Sequence, residues 1–113
     1  MEALFKVLGD SNRLRILSLL MHQELCVCEI EEILKTTQSN ASRHLTKLKQ
    51  AGIISCNKKA QWVYYHVNPR FTESHPLLFQ YLKAGLETGK FYREDFKMLE
   101  KFNENQKSCK TLA

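Results

Sequence analysis

Residues 38–52, QSNASRHLTKLKQAG, run into 53–57, IISCN, and then through 58–61, KKAQ, into 62–67, WVYYHV. The change of period inside this stretch decides the fold. Ala41, Leu45 and Leu48 repeat at i, i+4 and i+7, the inner stripe of a helix, with Thr36 or Thr37 placed to cap its start and Gly52 to end it. IISCN and WVYYHV then alternate with period two and are rich in β-branched and aromatic residues, and Asn68-Pro69 stops the second run. The spacing predicts a helix followed by a β-hairpin with Lys58 and Lys59 at its tip.

Upstream, residues 24–37, ELCVCEIEEILKTT, place Ile30, Ile33 and Leu34 at helical spacing. Cys28-x-x-Glu31 there has the outline of a capping box, with Cys where Ser is usual. Asp10 stands at the N-cap position of SNRLRILSLLMH, and Leu4, Phe5 and Leu8 share a stripe on a first short helix. Downstream, helical period returns from about residue 74 to 104, with Gly85 and Gly89 leaving open one long helix or two shorter ones. Residues 105–113 are polar and predict a loose tail. The expected fold class is therefore mostly α with a small β-hairpin, one domain over residues 1–113. Two short helices joined by a tight turn and followed by a hairpin make a winged helix-turn-helix.

Charge is divided unevenly along the chain. Residues 1–32 carry three basic and six acidic side chains, and 73–113 carry seven and six. Between Ile33 and Thr72 there is no Asp or Glu, against Lys35, Arg43, Lys47, Lys49, Lys58, Lys59 and Arg70. A solvated surface mixes its signs; a stretch that excludes carboxylates suits a polyanion. No apolar run reaches the roughly 18–20 residues of a membrane helix, and Glu2 near the start argues against a secretory signal. The expected setting is the reducing cytoplasm, with no membrane partner, where four cysteines in 113 residues read as ligands or redox groups and not as a disulfide frame.

The helix beginning near Gln38 offers Gln38, Ser39, Asn40 and Ser42 on its first turns, then Arg43 and His44, with Lys47 one turn beyond Arg43. Short polar side chains permit close approach to a groove, Gln, Asn and Arg make bidentate contacts to base edges, and a helix N-terminus holds phosphate. Lys58 and Lys59 would lean on neighbouring phosphates. These nine residues are the candidate contacts to double-stranded DNA. For Ser42 the alternative is a bond within its own helix, and for His44 a structural role at a helix or subunit contact.

Cys26 and Cys28 are two residues apart. On a regular helix that spacing points side chains apart, whereas an extended lead-in turns both to one side, with Leu25 and Val27 opposite. A helix N-terminus also favours the thiolate, and thiolates without a histidine partner select soft ions. The alternative is a pair of small buried hydrophobes.

The stretches VLGDSNRLRILSLL, ELCVCEI, QSNASRHLTKLKQAGI and WVYYHV together resemble the ArsR/SmtB family of metal-responsive repressors over almost the whole chain. The first, third and fourth are shared widely among winged-helix repressors, while ELCVCEI resembles the metal box of the arsenic- and cadmium/lead-responsive branches. The resemblance implies a homodimer held by its first and last helices, residues 1–9 and 74–104, that leaves operator DNA when Cys26 and Cys28 are loaded. As(III) or Sb(III), bound by three sulfurs in a pyramid, is the first expectation. Cd(II) or Pb(II) follows, and Zn(II) comes last because the acid/histidine pairs of the zinc-sensing branch are missing between His75 and Phe102. The third ligand is left open among Cys56, Cys109, either within or between subunits, and a small thiol or water. Two positions depart from the pattern: KKAQ lacks the usual wing Gly, and Glu31 stands where the arsenic branch often has a third Cys. Outside this class, a thiol-redox switch, a thiol enzyme and an RNA- or protein-binding adaptor are the rivals. The enzyme reading lacks a CxxC opening a helix, a catalytic base and a phosphate loop.

Overall fold

The computed structural model describes residues 1–105. In chain order the elements are α1 (Glu2–Leu8), α2 (Ser11–His22), β1 (Leu25–Cys26), α3 (Val27–Leu34), α4 (Gln38–Gln50), β2 (Ile54–Lys59), β3 (Trp62–Val67), α5 (Pro69–Ser74), α6 (Pro76–Thr88) and α7 (Lys90–Glu104). The architecture is mostly helical with one small antiparallel sheet of strand order β1-β3-β2.

Local chemistry sets the boundaries. Asp10 accepts a hydrogen bond from the Arg13 N–H at 3.1 Å and opens α2. Thr37, not Thr36, caps α4 by accepting from the Asn40 N–H at 3.2 Å. At the other end of α4 the Gly52 N–H donates to the Lys49 carbonyl and the Ile53 N–H to that of Leu48, at 3.0 and 3.1 Å. This paired closure needs a left-handed residue, and Gly52 supplies it at φ 77°. Lys35 takes the same region at φ 55° to end α3, which makes the turn into α4 tight.

The core lies between α2, the α3–α4 pair and the inner side of the sheet. Leu17, Leu19, Leu25, Ile30, Leu45 and Leu48 are fully buried within it. Truncating any one of these leucines to Ala would cost about 2–5 kcal/mol. The predicted stripe Ala41, Leu45, Leu48 is thus the buried side of α4, which leaves its opposite side to solvent.

Four details differ from the sequence-based expectations. Leu25–Cys26 is a third strand, paired with Tyr65 and Tyr64 of β3, so the hairpin has a companion. The capping box closing α3 lies two residues earlier than predicted, on Cys26 and Glu29. Asn68-Pro69 does not only stop β3: the Asn68 side chain accepts from the Arg70 N–H at 3.0 Å, and Pro69 takes the first helical position of α5. Lys58 and Lys59 belong to β2, opposite Val63 and Trp62, and the turn is only Ala60-Gln61. Ala60 carries a positive φ of 56° there, where a two-residue hairpin usually has Gly.

The C-terminal region left open between one helix and two is two, divided at Gly89. Helix α7 is strongly amphipathic and folds back on α2 and α3, burying Leu99 and Phe102. The expected loose tail, residues 105–113, lies outside the described residues except for Asn105.

Candidate nucleic-acid interface and thiol site

Helix α4 presents a graded polar face. Gln38, Ser39, Arg43 and Lys47 are exposed; Asn40 and Ser42 are half-buried. Arg43 and Lys47 are one turn apart and share a side of the helix. The Arg43 guanidinium donates to the Asn40 side-chain oxygen at 2.7 Å, and the Asn40 amide donates to the Thr36 hydroxyl at 2.9 Å. Thr36 and Thr37 thereby orient Asn40, and Asn40 orients Arg43. This support was not foreseen, although the T-T-x-x-N spacing across a helix start carries the signal. Side chains held in this way have less rotamer entropy left to lose on binding.

His44 is not part of that face. It is 4% exposed, turned toward α2, with the Arg13 guanidinium 3.3 Å from Nδ1. Its Nε2 is buried and meets no hydrogen-bonding partner among the described residues. Burial lowers the imidazole pKa from 6.5; Asp10 opposes this, and the cations Arg13, Arg43 and Lys47 reinforce it. Position 44 falls on the inner side of α4 next to Leu45, so a direct DNA contact is excluded in this conformation.

The two wing lysines also differ. Lys58 is exposed near the hairpin end. The Lys59 amine pairs with the Glu24 carboxylate and lies 5.4 Å from the centre of the Tyr64 ring. Glu24 precedes β1, so this ion pair ties the wing to the segment entering the thiol pair.

Cys26 ends β1 and is the N-cap of α3, with extended backbone at φ −90° and ψ 169°; Cys28 is the second residue of the helix. An N-cap side chain folds over the first turn of its helix, which is how Ser at that position reaches the N2 and N3 amides. The same geometry carries the Cys26 sulfur to within 3.5 Å of the Cys28 sulfur. The pair therefore converges through a cap-and-first-turn relation, with only Cys26 in the extended segment. Cys26 is buried and Cys28 half-buried, which leaves one side of the pair toward solvent. Glu29 completes the capping box, its carboxylate accepting the Cys26 N–H at 2.9 Å. Burial raises the Glu29 carboxyl pKa, against the lowering effect of that hydrogen bond.

The donor set fits a soft ion in part. Two bonds of about 2.3 Å to a shared atom across a 3.5 Å gap subtend about 100°, within the range of pyramidal and tetrahedral centres. Among the described residues no cluster of three His, Cys, Asp or Glu stands ready to hold a metal. Cys56 is a half-buried free thiol opposite Tyr65, which in turn faces Leu25. Cross-strand partners share a sheet face, so Cys56 lies on the face of Leu25 and two strands away from β1, whereas Cys26 is paired on the other face with Tyr64. The structure does not bring Cys56 to the pair. Cys109 lies outside the described residues. No helix among the described residues is long and apolar enough to cross a membrane.

Residues 10–55, from the cap of α2 to the start of the wing, match the family described as "Bacterial regulatory protein, arsR family". An arsenic resistance transcriptional regulator of Pseudomonas putida is 46% identical over 66 residues, covering 58% of this chain and 52% of that protein. A cadmium resistance transcriptional regulatory protein of Listeria innocua is 42% identical over 64 residues, covering 56% and 54%. The chain spans about half the length of these curated relatives. The crystal structure of the transcriptional regulator HlyU from Vibrio vulnificus superposes with a TM-score of 0.58 at 35% identity, over 71% of this chain and 83% of that one. By its helix-turn-helix core, its wing and these likenesses, the chain belongs to the ArsR family of winged helix-turn-helix transcriptional regulators, a family of DNA-binding proteins and not of enzymes.

Proposed function

We propose that this regulator is a cytoplasmic homodimeric repressor that holds operator DNA through α4 and the β2–β3 wing and leaves it when Cys26 and Cys28 bind As(III) or Sb(III). Cd(II), Pb(II) and Zn(II) are the alternative inducers. The observation that carries the reading is the 3.5 Å approach of the two sulfurs at the mouth of α3. Thiolates select thiophilic ions, and relatives named for arsenic and for cadmium resistance agree with that choice. The exposed polar side of α4, with Arg43 and Lys47 free of carboxylate neighbours in sequence from Ile33 to Thr72, supports the DNA half. Large apolar side chains exposed at the start of and along α1 and on α6, namely Met1, Phe5, Leu77 and Tyr81, support a dimer through those helices.

The switch follows from where the sulfurs sit. Cys26 caps α3, and α3 packs on α4. When both sulfurs ligate one atom, the Cys26 sulfur is withdrawn from the α3 amides that it caps, and the first turn of α3 shifts against α4. A tenfold loss of DNA affinity needs only about 1.4 kcal/mol of difference between the two states. The test is a DNA-release titration with arsenite, antimonite, cadmium, lead and zinc side by side. Arsenite and antimonite release the native protein at the lowest concentrations, and a Cys26→Ser, Cys28→Ser variant binds DNA normally and ignores them. Release of that variant by arsenite overturns the reading.

The same sulfur contact favours a second reading, a redox switch. Two thiols would give two electrons and two protons to an oxidant such as peroxide, closing a bond of about 2.05 Å. Peroxide releasing DNA where arsenite does not selects it.

A further inference from the structure

We propose that the groove bounded by α2, the end of α3 and α7 binds an organic anion with an apolar body and one charged head, of the class of medium-chain carboxylates. The thiol pair lies at the other end of α3, so this is a separate site.

The groove has a volume of about 490 Å³, within the roughly 300–1,000 Å³ usual for small-ligand sites. Ile33 and Leu34 of α3 and Met98 of α7 give it an apolar wall. Among the described residues no aromatic side chain lines it, so it offers no platform on which a nucleobase would stack. An aliphatic body suits this wall.

Charge specifies the head. Arg15, Lys35, Lys97 and Lys101 stand around the wall, against the two carboxylates Glu94 and Asp95. Asp95 is already engaged by Nε and Nη2 of Arg15. That grip fixes the guanidinium plane and leaves Nη1 without a hydrogen-bond partner among the described residues. Arg15 is about one-third exposed. A planar fork held from behind by one carboxylate is preorganised to receive a second. Lys97 and Lys101 are exposed and one turn apart on α7, so both heads serve the same rim. Their aliphatic stems extend the apolar wall while the amines stay in water. The Lys35 amine lies 3.8 Å from the Glu32 carboxylate, an exposed pair that water screens.

The groove also reaches the turn into α4. Lys35 is part of its lining and is the left-handed residue that ends α3. An occupant therefore meets the helix-turn-helix at the end of α3 opposite the two sulfurs.

The experiment titrates octanoate into isotope-labelled full-length protein, followed by backbone amide NMR. Octanol supplies the body without the charge, and acetate the charge without the body. Octanoate shifts the amides of residues 33–35 and 97–101 with one site per chain, and octanol and acetate bind about tenfold more weakly or worse. The double variant Lys97→Glu, Lys101→Glu weakens octanoate by about tenfold or more, while Lys83→Glu, on α6 and outside the groove, binds it as the native protein does. Arg15→Gln also loses the site; should that variant unfold because α7 is no longer held, the lysine variant carries the charge test by itself. No shift at these amides with millimolar octanoate overturns the proposal. So does equal binding of octanol, unchanged affinity in the lysine variant, or shifts confined to the exposed apolar side chains of α1 and α6. Octanoate does not react with thiols, so none of these outcomes depends on the arsenic reading.

Discussion

Arg15 of α2 grips Asp95 of α7 with two parallel hydrogen bonds, 2.8 Å from Nε and 2.9 Å from Nη2, joining residues eighty apart in sequence. Asp95 is buried and Arg15 about one-third exposed, and the contact raises the guanidinium pKa above its ordinary value. This bidentate pair locks α7 onto α2. Replacing Arg15 with Ala leaves the Asp95 carboxylate buried and unpaired, so a loss of about 2 kcal/mol is expected, discounted for the exposed side of Arg15. Urea unfolding measures it, and Arg15→Lys recovers only part, since an ammonium cannot reproduce the fork.

His44 makes folding stability depend on pH. A base whose pKa is depressed in the folded protein takes up protons more readily when unfolded. Its contribution is therefore whole above pH 6.5 and is lost as pH falls through that value, until the folded imidazole also charges. Asp10, Arg13, Arg43 and Lys47 are the charges that act on it. Native protein loses more stability between pH 7.5 and 5.5 than His44→Gln, as read from urea midpoints; equal losses refute the assignment.

DNA binding separates the basic residues. Arg43→Ala costs about 1–3 kcal/mol on the operator and relaxes base preference. Lys58→Ala weakens binding evenly across sequences and lowers the salt slope by about one. Lys59→Ala changes the slope less, because its amine is already engaged by Glu24. Gel shifts at several salt concentrations resolve the three behaviours.

The wing turn holds avoidable strain. Ala60 at φ 56° pays a side-chain penalty that Gly escapes. Against the extra entropy of an unfolded glycine, Ala60→Gly gains about 0.5–1 kcal/mol. A higher urea midpoint with unchanged operator affinity is the expected result.

These behaviours show what was legible in the sequence. The stripe Ala41–Leu45–Leu48, the Asp10 cap, the Gly52 stop and the strand pair were readable because each follows from a local rule. The start of α3 was not, because Cys26-x-x-Glu29 and Cys28-x-x-Glu31 have identical spacing. Pairing of Leu25–Cys26 with β3, a long-range event, decides between them. His44 looked like its neighbour Arg43 until the rotation of α4 turned one inward and the other out. The wing lysines looked like a loop because their turn lacks Gly, yet the register leaves only Ala60-Gln61 outside the strands. The Gln23–Asn103 and Arg15–Asp95 links join residues eighty apart and have no local signature.

One residue occupies a junction between the wing and the helix-turn-helix. Cys26 is laddered to Tyr64 in the wing and at the same time crowns the helix that braces α4. A shift at that single backbone position bears directly on β3 and, through α3, on α4. Under the proposed switch the domain has one short lever with two outputs, and its handle is a sulfur atom.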